Sequence, residues 1–231
     1  MSPPPPLHTS VPGSFARDTL QRRVPEILAK TRAQLGALPA EVAQRLDELA
    51  AELRDGALRP LQETTPDRAA WDEAVRPHLG HGWLDLPWYF AESYFYRRLL
   101  EATGYFGGGP LGGRDPFAAD KASEWAPAEA PARCAQMLAA APAEPGPRLH
   151  ALMLASLWGN RADLSYNVAR QLGSYAGDAS EDLLADHAPA VAELLLAHRC
   201  RRVTLIADNA GTELLMDLAL CDHLLAACGV K

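Results

Sequence analysis

The sequence predicts a mainly α N-terminal domain followed by the start of an α/β domain, with one clear strand and a sheet that is cut short. Three observations predict it. Apolar residues recur at helical spacing through most of the 231 residues. A single run, RVTLIA from Arg202 to Ala207, is β-branched and near-continuously apolar, the pattern of a strand covered on both faces. That run passes through Asp208-Asn209 and Gly211 into a new helical pattern shortly before Lys231.

Residues 1–13 are rich in proline and offer little apolar surface to offset the entropy of ordering, so a disordered tail is expected there. A helical domain is expected over 14–198. Its first apolar positions, Leu20, Val24, Ile27 and Leu28, follow helical spacing, and Pro25 should start a second helix or kink the first. Val42, Leu46, Leu49 and Leu53 then form one stripe of an amphipathic helix. From Pro87 to Phe106 a proline at a first helical position precedes aromatic and aliphatic residues around most of the circumference, so this helix should be buried and should end at Gly104. GGGPLGGRDP reads as a loop.

Between Ser123 and Pro147 one short helix is expected around Cys134 to Ala141. Another should run from Arg148 to Trp158, break at Gly159-Asn160 and resume near Asp163. Val191, Leu194, Leu195 and Leu196 mark a further helix. In 199–231 the expected strand and the helix through TELLMDLALCDHLLAACG make the first β-α unit of a Rossmann-like domain, with Gly229 as the stop. A lone strand has two edges of unpaired backbone groups. The chain is therefore read as the N-terminal part of a longer fold, in preference to a strand hidden in the Ala/Pro-rich middle or a sheet completed by a partner chain that covers the open edge.

Composition narrows the function. Hydrophobic residues make up 48% of the chain, enough for a sizeable core. With 29 acidic against 22 basic residues the net charge is -7, which argues against nucleic acid or an anionic membrane surface as partner. Four cysteines without a CxxC pair fit a reducing compartment, and the N-terminus lacks the basic and apolar regions of a signal peptide, so a cytoplasmic location is expected. Histidines lack HxH or HExxH spacing, and GxSxG and Walker A motifs are absent from the sequence.

The chemistry-bearing groups sit where the expected strand ends. Ligands of open α/β sheets bind beyond the carboxyl ends of the strands, the position of Asp208 and Asn209. A carboxylate beside an amide oxygen offers hard oxygen donors of the kind Mg²⁺ or Mn²⁺ accepts, and the N-terminus of the following helix offers N–H groups to a phosphate. The same residues could form an Asx-turn or a helix cap without any ligand. Glu213 lies in the first turn of that helix, where capping is the plainer role. Asn160, Arg161, Asp163 and Ser165 cluster at the break in LWGNRADLS and could line a pocket or cap two helices. Glu92, Arg97 and Arg98 among aromatics are expected to pair with one another or to reach outward.

In their order, PWYFAESYFYRRL, RDPF with Lys121 soon after, SLWGNRADLS, and a strand leading into DNAGTELLMDL resemble the damage-control phosphatases of the DUF89 type. The resemblance is nearest to the sugar-phosphate subfamily, which includes acidic residue methyltransferase, and it spans Phe15 to the C-terminus. It implies a helical domain before a Rossmann-like domain that holds Mn²⁺, Co²⁺, Ni²⁺ or Mg²⁺ and hydrolyses sugar phosphates such as fructose 1-phosphate and fructose 6-phosphate. By that resemblance Asp208 and Asn209 bind the metal and contact substrate. Glu213 falls at the S-adenosylmethionine site of a disputed carboxyl methyltransferase activity, and Asn160 and Asp163 match the GN..DLS pattern as pocket-lining residues.

The family's third metal-binding aspartate, in a motif resembling GDLNYRKL, and its RTxK-like segment normally follow, whereas this sequence ends at Lys231. Two protein ligands instead of three, without the basic clamp, should cost roughly a thousandfold or more in rate, so the 231-residue chain is expected to be weak or inert alone. The alternatives are a non-catalytic helical remnant that binds a partner, and S-adenosylmethionine-dependent carboxyl methylation.

Overall fold

The computed structural model describes residues 4–125, 129–159, 183, 185–207 and 209–230. Two compact units divide it, Met1–Ala119 and Asp120–Lys231. Among the described residues the architecture is helical: α1 Phe15–Asp18, α2 Val24–Leu35, α3 Ala40–Asp55, α4 Arg68–Val75, α5 Trp88–Thr103, α6 Ala118–Trp125, α7 Glu129–Ala140, α8 Pro145–Leu157, α9 Ala188–Leu196 and α10 Gly211–Ala227. The boundary between the units falls inside α6, so α7 to α9 group with the C-terminal segment. Among these residues no helix is long and apolar enough to cross a membrane.

In the first unit, Pro25 stands at the start of α2, where its missing N–H costs least, and a wide turn over Thr19–Arg23 carries the chain into it from α1. The stripe of α3 buries Val42, Leu46, Leu49 and Leu53 against α5, which contributes Ala91, Tyr94, Phe95 and Leu99. Glu92, Arg97 and Arg98 do not pair with one another; each reaches a partner on another segment, and Arg98 also bonds Glu101 one turn along α5. Arg98, 2% exposed, donates from Nη1 and Nη2 to the two carboxylate oxygens of Glu52 at 2.8 and 2.9 Å, and from Nε to Glu101 at 3.1 Å. Arg97 donates to Asp67 at 2.8 Å and to the Thr65 hydroxyl at 2.9 Å, with its guanidinium over the Phe106 ring. Glu92 pairs with Arg23 at 3.3 Å.

The expected disordered tail is corrected from Leu7 onward. Thr9 is fully buried: its hydroxyl accepts from Leu86 N at 2.9 Å and lies 3.1 Å from the carbonyls of Trp83 and Leu86. Thr9 N donates to Leu86 O, and Trp88 N to Leu7 O at 2.8 Å. Backbone bonds to the entrance of α5 hold this segment, a source of order that a proline-rich composition hides.

In the second unit α8, α9, α10 and α7 enclose a separate core of Leu149, Leu152, Leu195, Met216, Leu220 and Leu224. α8 and α10 run antiparallel: His223 Nε2 donates to Pro145 O at 3.2 Å near one end, and Ser156 Oγ donates to Asp217 Oδ1 at 2.5 Å toward the other. The expected strand is not realised as one. Arg202–Ala207 carries no β-ladder, and no sheet occurs among the described residues. The side chains still alternate, Val203 and Leu205 packing on the core while Thr204 and Ile206 face outward, Ile206 at 87% exposure. β-branched residues secure extended backbone, but a strand exists only with a partner, and the described residues supply none.

Candidate functional site

Helix α10 begins in an unusual way. Its N-cap is Ala210, whose side chain has no acceptor, and its first residue, the buried Gly211, has φ of 67°, a left-handed value that a Cβ would strain. The first turn therefore depends on backbone geometry rather than on a capping hydroxyl or carboxylate at the N-cap position. Just before it, the Asn209 Nδ2 donates to Glu213 Oε2 at 2.9 Å, an i,i+4 pair that bridges the entry loop and the first turn. Asn209 is exposed and Glu213 half-buried.

The same turn is where α8 ends. A Cβ built on the buried Gly159 would lie 2.6 Å from the Glu213 Cα, 2.9 Å from its Cβ and 3.0 Å from its Cγ, so only glycine permits this approach. One helical turn earlier on α8, Ser156 meets Asp217, one turn later on α10. Glu213 and Asp217 thus share the face of α10 that α8 covers, with Asp217 buried at 6% exposure and held by the Ser156 hydroxyl. The LWGN and DNAGTE motifs, some fifty positions apart in sequence, converge at one end of the α8–α10 pair.

Of the five sequence-predicted site residues, Asn209 and Glu213 are brought into direct contact. Asp208, Asn160 and Asp163 lie outside the described residues. Among the described residues there is no group of three or more His, Cys, Asp or Glu side chains placed to hold a metal ion. The donor set at the α10 entrance is nonetheless of the right chemistry for a hard divalent cation: with Nδ2 directed at Glu213, the Asn209 Oδ1 faces away from that carboxylate, and a neighbouring aspartate would add anionic oxygen.

Two participants are missing from the sequence reading. Gly159 is legible there only as a helix break. Asp217 reads as an ordinary charge in an apolar helix, and its i+4 spacing from Glu213 is the signal that both face one neighbour.

Comparison with known proteins agrees with this convergence of motifs. The damage-control phosphatase ARMT1-like domain matches residues 19–230. Curated relatives called damage-control phosphatase ARMT1 include that of Danio rerio, 26% identical over 273 aligned residues that cover 98% of this chain and 60% of the relative. Those of Xenopus laevis, 26% identical with 98% and 61% coverage, and Mus musculus, 27% identical with 93% and 58%, are similar. The chain spans about three fifths of the length of these relatives. Since the domain match takes in both helical units and runs through the motifs that meet at Gly159 and Glu213, the chain belongs to the ARMT1-like family of damage-control phosphatases.

Proposed function

We propose that this chain carries the metal-holding part of a phosphomonoester hydrolase that acts on sugar phosphates of the fructose 1-phosphate or fructose 6-phosphate type. The observation that supports it most is the meeting of the two family motifs at the start of α10, where Gly159 admits Glu213 and Glu213 bonds Asn209. In this reading Arg202–Ala207 is a strand of a Rossmann-like sheet, supported by its alternating packed and exposed side chains. Asp208 and Asn209, directly beyond it, supply the oxygen ligands, and Asn160 and Asp163 line the substrate pocket.

A divalent cation such as Mn²⁺, Co²⁺, Ni²⁺ or Mg²⁺ bound there would neutralise charge on the phosphoryl oxygens. The chain's own contribution is placement. Asp208 and Asn209 would fix the cation at the loop, and the first N–H groups of α10, whose N-cap residue has no side-chain acceptor, would offer donors to the phosphate. The test is phosphate release from fructose 1-phosphate by the product of the full reading frame, with Mn²⁺ present and after chelation. Chelation should abolish turnover, and Asp208→Ala should lower kcat/KM by about a thousandfold. Turnover that survives chelation, or an Asp208→Ala protein as active as wild type, would overturn the proposal.

A second reading has one observation in its favour: Ile206 is 87% exposed, as suits an apolar side chain covered by a partner chain. A cooperative monomer in size-exclusion chromatography, with the Arg202–Ala207 amides slow to exchange, would remove it.

A further inference from the structure

We propose that Glu213 is a positioning residue for Asn209, one that sets which end of the Asn209 amide faces the cation; this rests on the reading of Asn209 as a metal ligand. An asparagine amide presents an acceptor on one side and two donors on the other, and only the oxygen can bind a cation. An ionised glutamate only accepts, so the group that meets Glu213 Oε2 at 2.9 Å must be Nδ2. Oδ1 is thereby turned away from Glu213.

The glutamate is itself held in place. Its backbone belongs to the first turn of α10, and the Gly159 backbone closes on its Cα, Cβ and Cγ so tightly that a methyl group could not be added at residue 159. The order of constraint runs from α8 through Gly159 to the Glu213 stem, from the Glu213 carboxylate to Nδ2, and from the amide plane to Oδ1. Partners that orient a ligating side chain in this way typically govern metal affinity by about 10–100-fold. The role is distinct from contact with a sugar phosphate or with S-adenosylmethionine, either of which would leave affinity for the metal alone untouched.

The experiment is a calorimetric titration of the full-length protein with Mn²⁺ alone, checked by the paramagnetic resonance of free Mn²⁺. Wild type should bind and Asn209→Ala should not. Glu213→Ala should weaken binding by about tenfold or more, and Glu213→Leu, which refills the volume, should do the same. Glu213→Gln, whose Oε1 can still accept from Nδ2, should stay within about threefold of wild type. Alanine keeps a good helix former in α10, and a cooperative melt of each apo variant certifies its fold. If Glu213→Ala and Glu213→Leu bind as wild type, the positioning role is wrong while the metal site stands. If Glu213→Gln loses as much as Glu213→Ala, the carboxylate charge matters and Glu213 is itself a ligand. If wild type does not bind Mn²⁺, or Asn209→Ala binds equally well, the metal reading fails and the positioning role with it.

Discussion

Gly159 and Glu213 touch backbone to backbone: a Cβ at residue 159 would overlap the Glu213 Cα at 2.6 Å. The helix that carries one site motif is therefore pressed against the helix that carries the other, with no side chain between them.

Gly159→Ala should force α8 and the first turn of α10 apart. Overpacking of this kind costs about 1–3 kcal/mol. The cost should appear in denaturant unfolding of the second unit, with a change in midpoint and none in slope. An alanine variant as stable as wild type would mean that the two helix ends separate freely.

Arg98 sits between two acidic partners in the first unit, bonding both oxygens of Glu52 and one of Glu101. Arg98→Met leaves the buried Glu101 without its guanidinium and Glu52 with Arg59 alone, and should destabilise by about 3–5 kcal/mol. The double variant Arg98→Met, Glu52→Gln should recover part of that loss, because removing both partners strands less charge than removing one. Equal losses in the single and double variants would deny the coupling.

The Arg97 guanidinium, by its hydrogen bond, holds the Asp67 carboxyl down at about 2 from its ordinary 3.8. A carboxylate whose pKa is depressed by folding stabilises the native state fully above the unfolded value, and that contribution is lost as pH falls through the folded value. The difference in melting temperature between wild type and Asp67→Asn should thus hold steady above pH 5 or about that and shrink toward zero near about pH 2. Since the Asp67 side chain is 39% exposed, the whole effect should be small, within the range of a solvent-screened pair. A difference that does not vary with pH would show that the ion pair is not its source.

Period decides which parts of the fold are legible in sequence. Val42, Leu46, Leu49 and Leu53 repeat at helical spacing and bury as one stripe of α3; the breadth of apolar surface on Trp88–Thr103 likewise marks α5, which ends at Gly104. α4 and α6 are short and carry too few apolar residues to stand out, and α7 begins among prolines and alanines before the expected Cys134. The charges on α5 are recognisable as paired, but not their partners: Glu52 lies 46 positions from Arg98, beyond any local pattern. At the site the reverse holds for Asn209 and Glu213, whose spacing of four makes them neighbours, whereas their meeting with Gly159 depends on the antiparallel pairing of α8 and α10. Arg202–Ala207 shows how far residue preference reaches: its side chains alternate between packed and exposed, but pairing is a property of two segments.

The bond between Thr9 and Leu86 closes a loop of 77 residues, and that has a consequence for biosynthesis. A chain made from its N-terminus cannot seat Thr9 until the entrance of α5 has left the ribosome, and bringing such distant segments together carries an entropic cost that short-range helix contacts do not. The segment around Thr9 is thus made well before its partner and is among the last of its unit to settle.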